Sequence, residues 1–242
     1  MRNSRKFTLC LVLFLPFLLC GQGQAQVLQS ITNAVSGGSL GQGDVGSALK
    51  QALNNGVQKG TQQLSAVDGF FKDAAIKILM PPEAAKVEST LRKMGAGAQV
   101  DQAILSMNRS AEDATKSAAT IFLNAITQMS IQDAISLLQG GDTAATHYLR
   151  IKTVLALTAA FKPIITSSLQ KTNATQYWSD VFGTYNKIPF VKKINPDLVA
   201  YVTGKALDGI FYEIAIEEKN IRSNPAARTT ALLQQVFGSV TH

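Results

Sequence analysis

Apolar residues recur along most of this chain at steps of three and four, the spacing that lines one face of an α-helix. From Asp44 onward, Leu49, Leu53, Val57 and Leu64 form a weak stripe interrupted by Gly56 and Gly60. A second helix is predicted over residues 67–79. It is closed by Pro81-Pro82, since proline lacks the amide donor and its ring clashes with the preceding turn. Pro82 and Glu83 then suit the first turn of a third helix that ends near Gly95 and Gly97. Residues 100–129 carry the clearest period: Val100, Ile104, Met107, Ala111, Ala118, Phe122, Ala125, Ile126 and Met129 share a face.

The later helices are marked by their ends. Ser130 with Asp133 three residues on has the spacing of a reciprocal capping box, opening a short helix that stops at Gly140-Gly141, where left-handed backbone is easily reached. Asp142 is placed to cap a long helix over residues 143–170, bent at Pro163. One more helix is expected over residues 174–185, around Trp178. Asn195-Pro196 and Asn224-Pro225 each combine a side-chain acceptor with a ring-fixed first residue, and open helices over residues 196–222 and 225–237. Sustained two-residue alternation is absent, so the expected fold is all-α: a single bundle of about seven to nine helices over residues 45–239.

The N-terminus departs from this pattern. Arg2, Arg5 and Lys6 precede an apolar run over residues 7–19, too short to span a bilayer comfortably, and Gly23 and Ala25 suit cleavage before Gln26. Residues 1–25 therefore read as an export signal, and residues 26–44, rich in Ser, Gly, Gln and Asn, as a flexible arm. The expected location is periplasmic or secreted. The rival is acylation of Cys20, which would anchor the chain as a lipoprotein, although Leu19 stands where a small residue is ordinarily wanted.

Charge and cysteine usage change with that division. Cys10 and Cys20, the chain's 2 cysteines, both fall in the signal, so the mature chain has no disulfide, thiolate nucleophile or cysteine metal site. Three of the positive charges behind the net +7 go with the signal, leaving +4. Nucleic-acid binding needs a continuous basic stripe with interleaved aromatics, and the densest cluster is only Lys187, Lys192 and Lys193 around Pro189. That loop, with Ile188, Phe190 and Val191, is the one place besides an acylated Cys20 where membrane contact is conceivable. Cofactor and metal binding are not expected, because no phosphate loop, nucleophile elbow or paired histidine motif is present.

Several motifs in fixed order carry a resemblance. They are Met107-Asn108-Arg109-Ser110-Ala111-Glu112, Met129-Ser130-Ile131-Gln132-Asp133-Ala134, the stretch from Gly140 through Thr146 to Tyr148, and Tyr201-Val202-Thr203 onward to Arg228-Thr229-Thr230 and Val236-Phe237. In these, from about Val45 to Gly238, the chain resembles an uncharacterised family of exported bacterial proteins, domain of unknown function 4197. The resemblance implies a Gram-negative envelope location and an all-helical domain. It implies no activity, cofactor or catalytic residue.

Polar residues within apolar stripes rank the positions. In the helix after Pro196, Val199, Val202, Ala206, Ile210, Ile214 and Ile221 share a stripe with Glu217, a carboxylate that burial would force to be paired, protonated or solvated by a cavity. Arg150, Arg222 and Arg228 are its candidate partners, and Glu218 at the stripe's edge is a possible second acid. His147 shares a face with Ile151, Val154, Leu155 and Thr158 and is expected to point inward or into a groove beside Tyr148. Asn108 and Glu112 lie one turn apart and either satisfy buried loops or face Glu217. Arg222, Asn224, Arg228, Thr229 and Thr230 gather at a helix junction, where they either cap it or hold an anion. The expected function is a non-enzymatic binding or interaction module for an envelope protein, a peptide or an amphiphile. The alternatives are a metal-independent acid-base hydrolase using Glu217, with Glu218 or His147, and a membrane-surface lipoprotein.

Overall fold

The computed structural model describes residues 41–187, 189–190, 193 and 197–238. The stretch read as an export signal, the expected arm as far as residue 40, Asn195-Pro196, part of the Lys187 to Lys193 loop and the terminal His242 lie outside the described residues. The elements are α1 (Gln42–Ser65), a 3₁₀ turn (Pro82–Ala84), α2 (Ala85–Lys93), α3 (Gly97–Thr115), α4 (Ala118–Gln128), α5 (Ile131–Leu138), α6 (Ala144–Lys171), α7 (Ala174–Tyr185), α8 (Leu198–Ser223), a 3₁₀ turn (Pro225–Ala227) and α9 (Ala231–Gly238). The fold is all-α, with no strand among the described residues. None of the described helices is long and apolar enough to cross a membrane.

The long helices α6 and α8 pack against each other and against α3, while α1 lies across α4, α5 and α8, and α9 closes on α1. Their stripes meet in one core that includes Leu49, Val57, Met107, Phe122, Leu149, Leu157, Phe161, Val202 and Ile210. Phe122 meets Phe211 edge to face with ring centroids 5.6 Å apart, an arrangement the ring quadrupoles favour. Each fully buried side chain of this size contributes about 1.5–3 kcal/mol by leaving water.

Where local signals compete with tertiary ones, the structure departs from the pattern. Residues 66–80 are a compact series of turns rather than a helix. Asp68 takes φ +72, and a Cβ on Gly69 would sit 2.5 Å from the Gln63 carbonyl oxygen, so this chain reversal needs a glycine. The face from Val100 to Met129 is continuous, but its helix breaks into α3 and α4 at Lys116-Ser117. There both the amide and the hydroxyl of Ser117 donate to the Ala114 carbonyl, tightening the turn. Gly140 and Gly141 do not adopt left-handed backbone; Gly140 is needed because a Cβ there would meet the Ala144 Cβ at 2.5 Å. Helix α6, by contrast, is the single long helix expected here, with Pro163 inside it.

The caps divide in the same way. The Ser130–Asp133 box forms as read, with the Asp133 amide donating to Ser130 Oγ at 3.0 Å. Asn224 caps Pro225–Ala227 by accepting from the Ala226 amide, but this is a single 3₁₀ turn. Helix α9 starts only at Ala231, where Thr230 Oγ1 accepts from the Leu233 amide. Asp197 caps α8 by accepting from Ala200. Asp142 does not cap α6, whose first-turn amides donate instead to a side chain of another element.

Candidate functional site

Helix α8 supplies that cap. Glu218 accepts from the amides of Ala145 and Thr146 at 3.0 and 2.8 Å and from the Thr146 hydroxyl at 2.8 Å. One turn later Arg222 donates from Nε and Nη2 to Glu218 Oε1 at 3.0 and 2.9 Å. The rest of its fork reaches the carbonyls of Leu137, Leu138 and Gly140. A carboxylate thus meets the positive end of α6 and a guanidinium the negative end of α5, each where the helix dipole favours it. Both side chains are almost wholly buried, at 5% and 2% exposure, and both are saturated with partners. Arg222, a candidate partner of Glu217, is thus paired with Glu218 instead.

Glu217 is buried as its stripe requires, but none of the three arginines reaches it. Its partner is Lys59 of α1, at 2.6 Å, with a lysine side chain 59% exposed. The physical reason is direction: successive helix positions diverge by about 100°, so Glu217 faces α1 while Glu218 faces the α5–α6 junction. Glu213, one turn earlier, is also buried. Its burial raises the carboxyl's pKa, the Glu217 and Asp73 charges add to this, and Lys59 opposes it.

A second clasp forms on α3. Asn108 Oδ1 accepts from the Ile78 amide at 2.9 Å, and Nδ2 donates to the carbonyls of Ile78 and Ile104. Glu112 Oε1 accepts from the amides of Phe70 and Phe71, while Oε2 accepts from Arg109 at 2.7 Å. Arg109 reaches on to Asp68 at 2.6 Å. Hydrogen bonds from Lys72 and Arg109 hold the Asp68 carboxyl below the usual carboxylate range. Asn108 and Glu112 therefore secure the non-helical segment 68–78 and do not face Glu217.

The remaining sequence candidates separate. His147 is exposed, on the outer face of α6 where Ile151 and Leu155 are 63% and 83% exposed, so it does not point into the core. The buried face carries Leu149, Thr153, Leu157 and Phe161 instead. Together with Arg150, which contacts Asp208 at 3.3 Å and lies over the Phe211 ring, His147 lines an open groove of about 370 Å³. Arg228 donates to the carbonyls of Ile221 and Arg222, capping α8, and Thr229 accepts from Asn55. The junction is closed by these bonds. None of the principal cavities among the described residues is lined by Glu217, and no group of three or more metal-ligating side chains occurs among those residues.

One cavity stands apart from these clasps. About 340 Å³ in volume, it lies between α2, α3 and α7, with Met80, Leu91, Val100, Ala103, Trp178 and Phe182 among its walls. Trp178 and Phe182 are tilted against each other, centroids 4.4 Å apart, and Tyr201 stacks on Trp178 with centroids 6.0 Å apart. The polar lining residues, Gln99, Gln102, Ser106 and Thr172, are uncharged.

Asn108, Arg109, Glu112, Thr146, Glu218, Arg222 and Arg228, which lie within the motifs quoted from the sequence, are thus among the residues that clasp one element to another. The chain belongs to the family described as a protein of unknown function, DUF4197. The family matches residues 39–238, which takes in both clasps, the groove and the cavity. No curated protein and no solved structure matches the chain.

Three features escaped the sequence. Lys59 sits on a helix whose period is weak, so its facing toward α8 is a tertiary fact. Glu213 is four residues before Glu217 and lies beside the same stripe, a signal that was available. Ser106 gave none, since a serine on an amphipathic helix is ordinary.

Proposed function

We propose that this member of the DUF4197 family is an exported, non-enzymatic binding module that takes a small apolar molecule into the cavity between α2, α3 and α7. The observation that carries the reading is the contrast between that cavity and the polar clusters. Glu217, Glu218, Asn108, Glu112 and Arg222 each have their hydrogen-bonding partners within the chain. The cavity instead has an aromatic and aliphatic wall and a volume within the ~300–1,000 Å³ of small-molecule pockets. The acid-base alternative loses support, because Glu217, Glu218 and His147 face α1, the α5–α6 junction and solvent respectively. Export rests on Arg2, Arg5 and Lys6 ahead of the short apolar run, with cleavage before Gln26.

Native mass spectrometry of the protein recovered from the envelope fraction of its own cells tests this. A retained small molecule on a chain beginning at Gln26 is expected. A chain with its leader intact contradicts export, a chain starting at an acylated Cys20 favours the lipoprotein form, and failure to take up any apolar compound contradicts binding.

A second reading has one observation in its favour. Phe190 is 108% exposed at φ +63, with Lys187 and Lys193 exposed on either side. An apolar tip between two cations suits the surface of an anionic membrane. Flotation with phosphatidylglycerol vesicles, lost on Phe190→Ser, is the expected result under this reading; equal flotation of both proteins contradicts it.

A further inference from the structure

Every buried serine and threonine on the described helices but one has a hydrogen-bond partner for its hydroxyl. Thr61, Ser110, Thr115, Thr153 and Thr203 each donate to the carbonyl four residues back, at 2.7 or 2.8 Å. Thr146 donates to Glu218. Ser106 is buried to the same degree, at 4% exposure, yet its Oγ has no partner. A buried polar atom without a partner is disfavoured, and native structures keep few of them. Ser106 lines the cavity between α2, α3 and α7. A second unpartnered hydroxyl, Thr175 Oγ1, follows the lining residue Ala174.

We infer that Ser106 is the polar anchor of a ligand site in this cavity, and that the ligand is a neutral apolar molecule carrying one hydroxyl or carbonyl group at its buried end. This rests on the binding reading above and specifies its chemistry. Neutrality follows from the lining, which has no charged side chain to offset the desolvation of a buried ionic head. A single oxygen function follows from the single unpartnered hydroxyl among the lining residues; closed off from the cavity in the ligand-free protein, it comes to bear on the ligand by a turn about χ1, and then donates to a carbonyl or exchanges hydrogen bonds with an alcohol. The apolar body follows from Met80, Leu91, Val100, Trp178 and Phe182. Size follows from volume: at ~30 Å³ for each water-sized group, the cavity holds about eleven heavy atoms. Gln99, Gln102 and Thr172, exposed side chains on the lining, form the polar rim through which the molecule enters.

Calorimetric titration of the mature chain with 2-naphthol, naphthalene and 2-naphthoate tests the inference, because the three share one body and differ in the oxygen function. 2-Naphthol is expected to bind most tightly, naphthalene about three- to tenfold more weakly, and 2-naphthoate more weakly still. Ser106→Ala, a change that suits the interior of a helix, is expected to bring 2-naphthol down to the affinity of naphthalene and leave naphthalene unchanged. Equal binding of 2-naphthol and naphthalene, unaffected by Ser106→Ala, would overturn the anchor while leaving an apolar binding site in place. Tighter binding of 2-naphthoate would overturn neutrality. Binding of none of the three would overturn both the anchor and the binding reading, and circular dichroism of each variant confirms that folded proteins are being compared.

Discussion

The clasp at Glu218 and the cavity at Ser106 both place polar atoms among buried helices, and they end in opposite states. Around Glu218 every donor has an acceptor: two amides, a hydroxyl and a guanidinium converge on one carboxylate, and the guanidinium's remaining hydrogens reach carbonyls. At Ser106 a hydroxyl of ordinary chemistry has nothing, beside a space large enough for a molecule. A charge is therefore a poor guide to function in this fold, because its charges are used in holding helices together. The smaller, neutral group is more informative because it is unsatisfied.

The comparison is broken most severely by Glu218→Ala. That change leaves Arg222 charged, buried and short of its carboxylate, and removes the cap of α6; a loss of about 3–5 kcal/mol is expected in urea unfolding. A loss under 1 kcal/mol would mean that the clasp is ornamental. Asn108→Ala is expected to cost about 2–3 kcal/mol by stranding the Ile78 amide and carbonyl, with faster proteolysis within residues 66–80 as its local signature. Ser106→Ala should do the opposite in the ligand-free protein. It removes an unpartnered hydroxyl and improves helix propensity, so unfolding should shift by about 0.5–1 kcal/mol toward greater stability.

The smallest effect concerns Glu213, whose carboxyl pKa is raised by burial and by the neighbouring Glu217 and Asp73 charges. A raised acid binds its proton more tightly in the folded state, so its contribution to stability falls as pH climbs from the ordinary carboxylate range through the raised value. Glu213→Gln should therefore stabilise the protein at neutral pH. The gain should fade on acidification, where the wild-type carboxyl is protonated whether folded or not. A gain that is flat with pH would assign the effect to packing.

How far the sequence could be read follows from the distance over which each bond acts. The Ser130–Asp133 box spans three residues and was legible in full. For the cap of α6 the local pattern points to the adjacent Asp142, whereas the acceptor is Glu218, more than 70 residues on. Residues 66–80 carry helical spacing, but the turn at Asp68-Gly69 and the side chains of Asn108 and Glu112 claim their amides. The stripe on α8 is plain in the sequence, with Glu217 inside it, yet facing decides partners, and Lys59 lies 158 residues earlier in the chain. The candidate ligand site depends on what Ser106 fails to meet. No local pattern encodes a missing contact.

The most direct measurement is an amide chemical-shift map of the isotopically labelled chain from Gln26 onward on addition of 2-naphthol. Shifts confined to the α2–α3–α7 walls, including Leu91, Ala103, Ser106 and the Trp178 indole, with Ala145, Thr146, Glu218 and Arg222 unmoved, are the predicted result. Shifts centred on the clasp or the His147 groove, or none at saturating ligand, would contradict the account.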